Sequence, residues 1–155
     1  MTNLSKQADA GLKSYKDFTN EVAKLAKISG SEVRNAIEQN PPNDELFRYI
    51  TEQLKPKYKA GMLSNAGDNW LPVLFTPKQI ALFDAVALSY ETGLIKPHGQ
   101  AYKAIAERLG ATCEQCIFID DQERFCEAAR EVGMQAIHYK DFEQFQHDIQ
   151  KILAN

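Results

Sequence analysis

Four short apolar runs, "AGML" (60–63), "AVALS" (85–89), "CIFID" (116–120) and "AIHY" (136–139), recur after residue 60 with amphipathic stretches between them. No other feature limits the fold as strongly. Strands that alternate with helices of this length need crossover connections, which are right-handed and lay helices over both faces of a parallel sheet. The intervening text carries the helical signals. "TPKQIALF" has Thr76 as cap and Pro77 in its first turn; "GQAYKAIAERLG" sets Tyr102, Ile105 and Leu109 on one face. "QERFCEAAREVG" follows the third run, and "DFEQFQHDIQKIL" closes the chain with Phe142, Phe145, Ile149 and Ile152 in register. The fold class is α/β, a doubly wound parallel sheet.

The first third reads differently, as helix alone. In "SYKDFTNEVAKLAKISG", Ser14 and Asp17 have the spacing of a capping box, Phe18, Val22 and Leu25 form a stripe, and Gly30 is expected to stop the helix. "SEVRNAIEQN" predicts a second helix capped by Ser31. In "PPNDELFRYITEQLKP", Asn43 is the expected cap, Leu46, Phe47, Ile50 and Leu54 the buried stripe, and Pro56 the stop. The organisation expected is a helical segment over residues 1–41 ahead of an α/β core over 42–155.

Composition narrows the class of partner. With 155 residues and 44% hydrophobic content the chain can build one core, not two. Its net charge of −3 is spread among interspersed acids and bases, with no basic stripe for a nucleic-acid backbone or an anionic membrane. The longest apolar runs fall far short of a bilayer span, and "MTNLSKQADAG" lacks the apolar centre of a secretion signal, so a cytoplasmic protein is expected. Cys113, Cys116 and Cys126 make an odd number of thiols, which points to reduced cysteines. The Cys113–Cys116 spacing has no second pair to complete a structural zinc site.

In a doubly wound sheet, ligands bind beyond the carboxyl ends of the strands. Three runs end in polar groups there: Ser64 and Asn65 after the first, Lys96 before Pro97 after the second, and Asp120 with Asp121 after the third. Each has a plain structural account. Ser64, Asn65 and Asp121 are all good helix caps, Asp120 suits a helix dipole, and Lys96 suits a solvated surface. Their joint occurrence argues for more. Two adjacent carboxylates at a strand end repel, and Mg²⁺ relieves that repulsion while taking only one or two protein carboxylates beside water and phosphate oxygens. With a hydroxyl and an ammonium on the same rim, the set suits a pocket for a phosphoryl group, in which positioning and charge neutralisation dominate.

The order Ser64, Lys96, Asp120 with Asp121, and the text around them, resemble the haloacid dehalogenase superfamily, in particular phosphatase-like members with a small helical cap. "GMLSN" is similar to that family's second motif, "SYETGLIKPHGQAYKAIAERLG" to its third, and "CIFIDDQERFCEAAREVGMQAIHY" to its fourth. The resemblance implies a Rossmann-like core with residues 10–40 as the cap. It also implies that Ser64 and the Asn65 amide hydrogen-bond the phosphoryl group, that Lys96 neutralises its charge, and that Asp120 and Asp121 hold Mg²⁺. The implied partner is a small phosphorylated metabolite. His98, Gly99 and Phe125 depart from the family text, standing where relatives often have Asp, Pro and Asn.

The family's first motif, a strand ending in Asp-x-Asp that supplies the aspartate nucleophile, has no counterpart in residues 1–155. The helices begin as if the preceding residues had been removed, so a chain shortened at its start and lacking the central strand of the sheet is expected. Such a chain is expected to be inert and, with a sheet interior uncovered, inclined to self-associate. The alternative is a non-catalytic binding or regulatory module on the same fold. A phosphoacceptor receiver domain also combines acids, a hydroxyl and a lysine, but it places its acidic pair before the other two.

Overall fold

The computed structural model describes residues 15–38 and 43–154, and the cap expected at Ser14 lies outside them. The chain divides into two compact units, residues 1–95 and 96–155.

The first unit opens with two helices, α1 (Tyr15–Ala26) and α2 (Gly30–Glu38). The expected stop at Gly30 is replaced by Lys27, which takes the left-handed conformation at φ 57°, and Gly30 instead begins α2. The expected cap moves as well, from Ser31 to Ser29. The Ser29 hydroxyl accepts from the Glu32 amide (3.1 Å), and the Glu32 carboxylate accepts from the Ser29 amide (2.7 Å), which is a capping box whose cap lies before the anticipated Ser31. Leu25, placed on the buried stripe by its spacing, is 73% exposed. Thr19 and Ala23 are buried in its stead, and the Thr19 hydroxyl is satisfied locally by donating to the Lys16 carbonyl.

Helix α3 (Asp44–Tyr49) has the cap the sequence predicts, with the Asn43 side chain accepting from the Leu46 amide at 3.0 Å, and it continues into a π-helical turn over Ile50–Leu54. Phe47 packs against Phe75 and Phe83. Strands β1 (Gly61–Ser64) and β2 (Ala85–Leu88) pair in parallel, Gly61 with Ala85 through Ser64 with Leu88. Between them lie two single-turn helices, α4 (Leu71–Leu74) and α5 (Pro77–Ile80); α5 is held by a complete Thr76–Gln79 capping box. Ala66, Leu71 and Leu88 form the centre of this unit, with Met62, Trp70, Phe75, Ile80 and Val86 packed around them. Burying side chains of this size supplies about 1.5–3 kcal/mol each. Ser89 opens a last short helix, α6 (Ser89–Thr92), ended by Gly93 at φ 69°.

The second unit starts at Lys96, whose peptide bond to Pro97 is cis. Helix α7 (Gly99–Leu109) buries Ala101, Tyr102, Ile105 and Ala106, the face its periodicity predicts. Gly99 has a packing reason: a Cβ there would lie 2.9 Å from the Val132 side chain, so α7 begins in close contact where a larger residue would collide. A 3₁₀ turn (Cys113–Gln115) leads into β3 (Ile117–Asp120), which pairs in parallel with β4 (Gln135–His138). Helix α8 (Glu123–Glu131) connects them, and α9 (Phe142–Leu153), capped by Asp141 accepting from the Gln144 amide at 2.8 Å, buries Phe145 and Ile149.

All four expected strands form, each within a residue of its apolar run, and both pairings are parallel with helices between successive strands. Among the described residues the strands make two separate two-stranded ladders.

Candidate functional site

The end of β3 carries a sheltered ion pair. Lys96 Nζ lies 2.6 Å from Asp120 Oδ2, and the two side chains are only 10% and 9% exposed. An ion pair this sheltered is held by geometry as well as charge, because removing either partner strands the other away from water. The second carboxylate oxygen of Asp120 accepts from the Gln122 amide at 2.9 Å, turning the chain from strand to helix. Asp121 is exposed beside it. The capping role that its position allows is not taken up, since α8 starts after Gln122 with no side-chain cap. The plain structural account therefore fits Asp120 in part and Asp121 not at all.

Aromatic rings fix the lysine from other directions. Its ammonium is 4.6 Å from the Phe125 ring centroid and 5.5 Å from that of Phe118, distances at which a ring face attracts a cation. Tyr102 stacks edge-on to Phe118 at 5.1 Å and donates its hydroxyl to the Phe125 carbonyl at 2.9 Å. Burial, and then the neighbouring Asp120 charge, push the Tyr102 phenol well above its usual range, so it stays a neutral donor. Cys126 lies beneath, donating weakly to the Ile137 and Asp120 carbonyls, and burial raises its thiol too. Cys113 and Cys116 are likewise free thiols raised chiefly by burial.

His138, at the end of β4, spans the Asp121 carbonyl (3.0 Å from Nε2) and the Glu123 carboxylate (3.1 Å from Nδ1), bracing the turn that presents the acidic pair. Arg130 holds the Glu123 carboxyl below the usual carboxylate range by hydrogen bonding to it. His147 is exposed on α9 against Asp148.

In the first unit, Ser64 is the last residue of β1 and Asn65 follows it. The loop they begin is pinned one residue later. Ser89, 1% exposed, accepts from the Ala66 amide at 2.8 Å and donates to the Ala66 carbonyl at 3.0 Å.

Of the expected site residues, the structure brings Lys96 and Asp120 into contact, with Asp121 next in the chain, and places Ser64 and Asn65 at the end of β1. Sequence reading missed Phe125 and Ser89. The sequence marks Phe125 only as a departure from the family text, and Ser89 only as the last residue of the run "AVALS". Only its position at the strand end, level with the Ser64–Asn65 segment, was a signal for Ser89.

The donor set suits a hard cation in part. Asp120 and Asp121 are adjacent hard oxygen donors, which matches the one or two carboxylates that Mg²⁺ takes from a protein. Among the described residues no group of three or more His, Cys, Asp and Glu residues is gathered as a metal cage, so water or ligand oxygens have to complete the shell.

A family model described as haloacid dehalogenase-like hydrolase matches residues 7–133. Phosphatase MT3486 of Mycobacterium tuberculosis is 46% identical over 55 residues, 36% of this chain, and the match spans 25% of that phosphatase. A HAD-like family hydrolase from Porphyromonas gingivalis superposes with a TM-score of 0.77 at 24% identity, covering 98% of this chain and 79% of that one. A HAD family enzyme from Bacteroides thetaiotaomicron, an aspartate-to-alanine variant solved with magnesium and inorganic phosphate, gives 0.73 at 24% identity over 96% and 79%. At these identities the structural likeness is one of fold. No helix among the described residues is long and apolar enough to cross a membrane.

Proposed function

The chain belongs to the haloacid dehalogenase-like hydrolases, and from that premise we propose that it carries the binding apparatus of a magnesium-dependent phosphomonoester phosphatase for a small phosphorylated metabolite. One observation carries the reading: the sheltered Lys96–Asp120 pair at the end of β3, with the exposed Asp121 beside it. A buried pair of this kind is costly to desolvate and is weak evidence for stability alone. It makes sense as a prepositioned charge, a lysine held ready for a phosphoryl anion and a carboxylate held ready for a cation.

In this reading Lys96 offsets the charge of the phosphoryl group, and Asp120 and Asp121 are the residues that would hold Mg²⁺. When bound, the ion would offset negative charge on the phosphoryl oxygens. The Ser64 hydroxyl and the Asn65 amide, in the first unit, are donors of the kind a phosphoryl oxygen accepts from, and Ser89 keeps the segment that follows them in place. Free thiols suit a reducing, cytoplasmic setting.

Residues 1–155 contain no Asp-x-Asp. Without that nucleophile no aspartyl phosphate forms, and deleting a covalent nucleophile elsewhere lowers rates by on the order of 10⁶. The chain is therefore expected to bind a phosphate ester with Mg²⁺ but not to hydrolyse it. Calorimetric titration with methyl phosphate and MgCl₂, beside a p-nitrophenyl phosphate assay, tests both halves. Binding that disappears in Lys96→Met supports the reading. Rapid turnover abolished by Asp120→Ala would overturn the claim of inactivity and call for another nucleophile.

A further inference from the structure

Cys113 and Cys116 bracket the 3₁₀ turn that leads into β3. The turn is closed by the Cys116 amide donating to the Cys113 carbonyl at 3.0 Å, and braced by the Thr112 amide donating to the Gln115 side-chain oxygen at 2.9 Å. A backbone bond of this span brings the two Cα atoms to less than about 7 Å, the range a disulfide bridges, and residues so spaced in a 3₁₀ turn project on the same side. The Cys116 side chain leans back accordingly: its thiol donates to the Thr112 carbonyl at 3.3 Å, one peptide unit from Cys113. Cys113 in turn lines an open cavity of about 460 Å³ with Lys103, Glu107, Thr112 and Gln115. Both are free thiols and partly exposed, whereas Cys126 is buried and donates to the Asp120 and Ile137 carbonyls.

We propose that Cys113 and Cys116 form a thiol–disulfide exchange site, at which a small organic disulfide of the glutathione class is reduced and the turn is closed by an intrachain disulfide. Cys113, at the cavity, attacks one sulfur of the reagent. That S–S bond breaks, a mixed disulfide forms, and the leaving thiolate takes up the proton released from Cys113. Cys116 then attacks the Cys113 sulfur and expels the second reagent thiol, which takes the Cys116 proton. Two protein thiols are oxidised and one disulfide is reduced to two thiols, with no other reactant. Burial raises both protein thiols, so thiolate is scarce at neutral pH and exchange quickens as the pH rises. In a reducing compartment such a disulfide is transient and forms when the glutathione pool is oxidised. Its effect on the fold lies at Cys116, whose carbonyl accepts from the Gln135 amide at 3.1 Å just ahead of the first β3–β4 pair, Ile117 with Gln135. A closed turn holds the entry to β3 in place. The site is independent of the roles proposed for Lys96 and the acidic pair.

The full chain is equilibrated at about pH 8 with mixtures of reduced and oxidised glutathione, native and unfolded in urea, then quenched with acid, alkylated under denaturing conditions and mapped by mass spectrometry. In the native chain the peptide carrying Cys113 and Cys116 should lose two hydrogens and escape alkylation, while Cys126 is alkylated. The folded turn should close at an about tenfold lower proportion of oxidised glutathione than the urea-unfolded chain needs, because its geometry is preset. By the same cycle the oxidised chain should resist urea better than the reduced one. Cys116→Ser should stop at a glutathione adduct on Cys113, and Cys126→Ser should close as the wild type does. A native chain that closes no more readily than the unfolded one overturns the inference. So does a pairing that includes Cys126 or a second chain, a native Cys113–Cys116 peptide that is still fully alkylated, or a Cys116→Ser variant without the Cys113 adduct.

Discussion

The two parallel ladders are built alike and end differently. Each pairs four residues with four, and each finishes in residues that we propose serve a phosphoryl ligand. At the end of β1 the stabilising groups are neutral: a buried serine hydroxyl bonded both ways to one backbone residue, next to an alcohol and an amide. At the end of β3 they are charged: an ammonium and a carboxylate 2.6 Å apart, screened from water by aromatic rings. The difference teaches that one fold can hold the segment after a strand by two physical means. Neutral hydrogen bonds are cheap to bury and give modest energies, while a buried ion pair is costly to assemble and costlier to break in half.

The largest effect is expected from breaking the charged end. Lys96→Met leaves Asp120 buried without its partner and should lower unfolding free energy by about 3–5 kcal/mol in urea titrations. Adding Asp120→Asn should recover part of the loss. A loss from Lys96→Met no larger than that from the serine variant described next would dissolve the contrast between the ends.

Ser89→Ala removes a hydroxyl that bonds both polar groups of Ala66; the carbonyl keeps the Tyr90 amide at 3.1 Å, and loss of the partner of the Ala66 amide should cost about 1–3 kcal/mol. The amide resonances of Ser64 and Asn65 should move with it, since the segment loses its anchor. Unchanged resonances would mean that the loop is held by other contacts.

The smallest expected effect concerns pH. Burial, and then the charge of Asp120, raise the folded thiol of Cys126 above its unfolded value of about 8.5. Between those two values the unfolded chain has released a proton that the native chain still holds, so stability is full below about pH 8.5 and declines above it. Urea midpoints at pH 8 and pH 10 should fall less steeply in Cys126→Ala than in the wild type. Identical slopes would show that neither burial nor the Asp120 charge raises the thiol.

Much of the fold was legible because its signals are local. Apolar runs gave all four strands, and Asn43, Thr76 and the α7 face of Tyr102 and Ile105 stand where their spacing predicts. The misreadings cluster in α1 and α2, where competing local options are nearly equal in energy. Ser29 and Ser31 can each cap a helix, and Lys27 adopted a left-handed turn that glycine usually supplies. Leu25 followed the helical period but stands exposed. The Lys96–Asp120 contact spans 24 residues of sequence, beyond the reach of periodicity, and only motif order suggested it. The rings around it were illegible for the same reason, because a helix-face phenylalanine has the same pattern whether it packs on leucine or on an ammonium.

Asp84 accepts from both the Lys55 ammonium and the Ala60 amide, while its own amide donates to the Ala60 carbonyl. This fastening sits one step ahead of the first paired residues, Gly61 and Ala85, and so sets the count along both strands. Because side chains change faces at every step, an extra residue inserted between Asp84 and Ser89 would carry that serine away from Ala66 and release the Ser64–Asn65 segment without altering either of its residues.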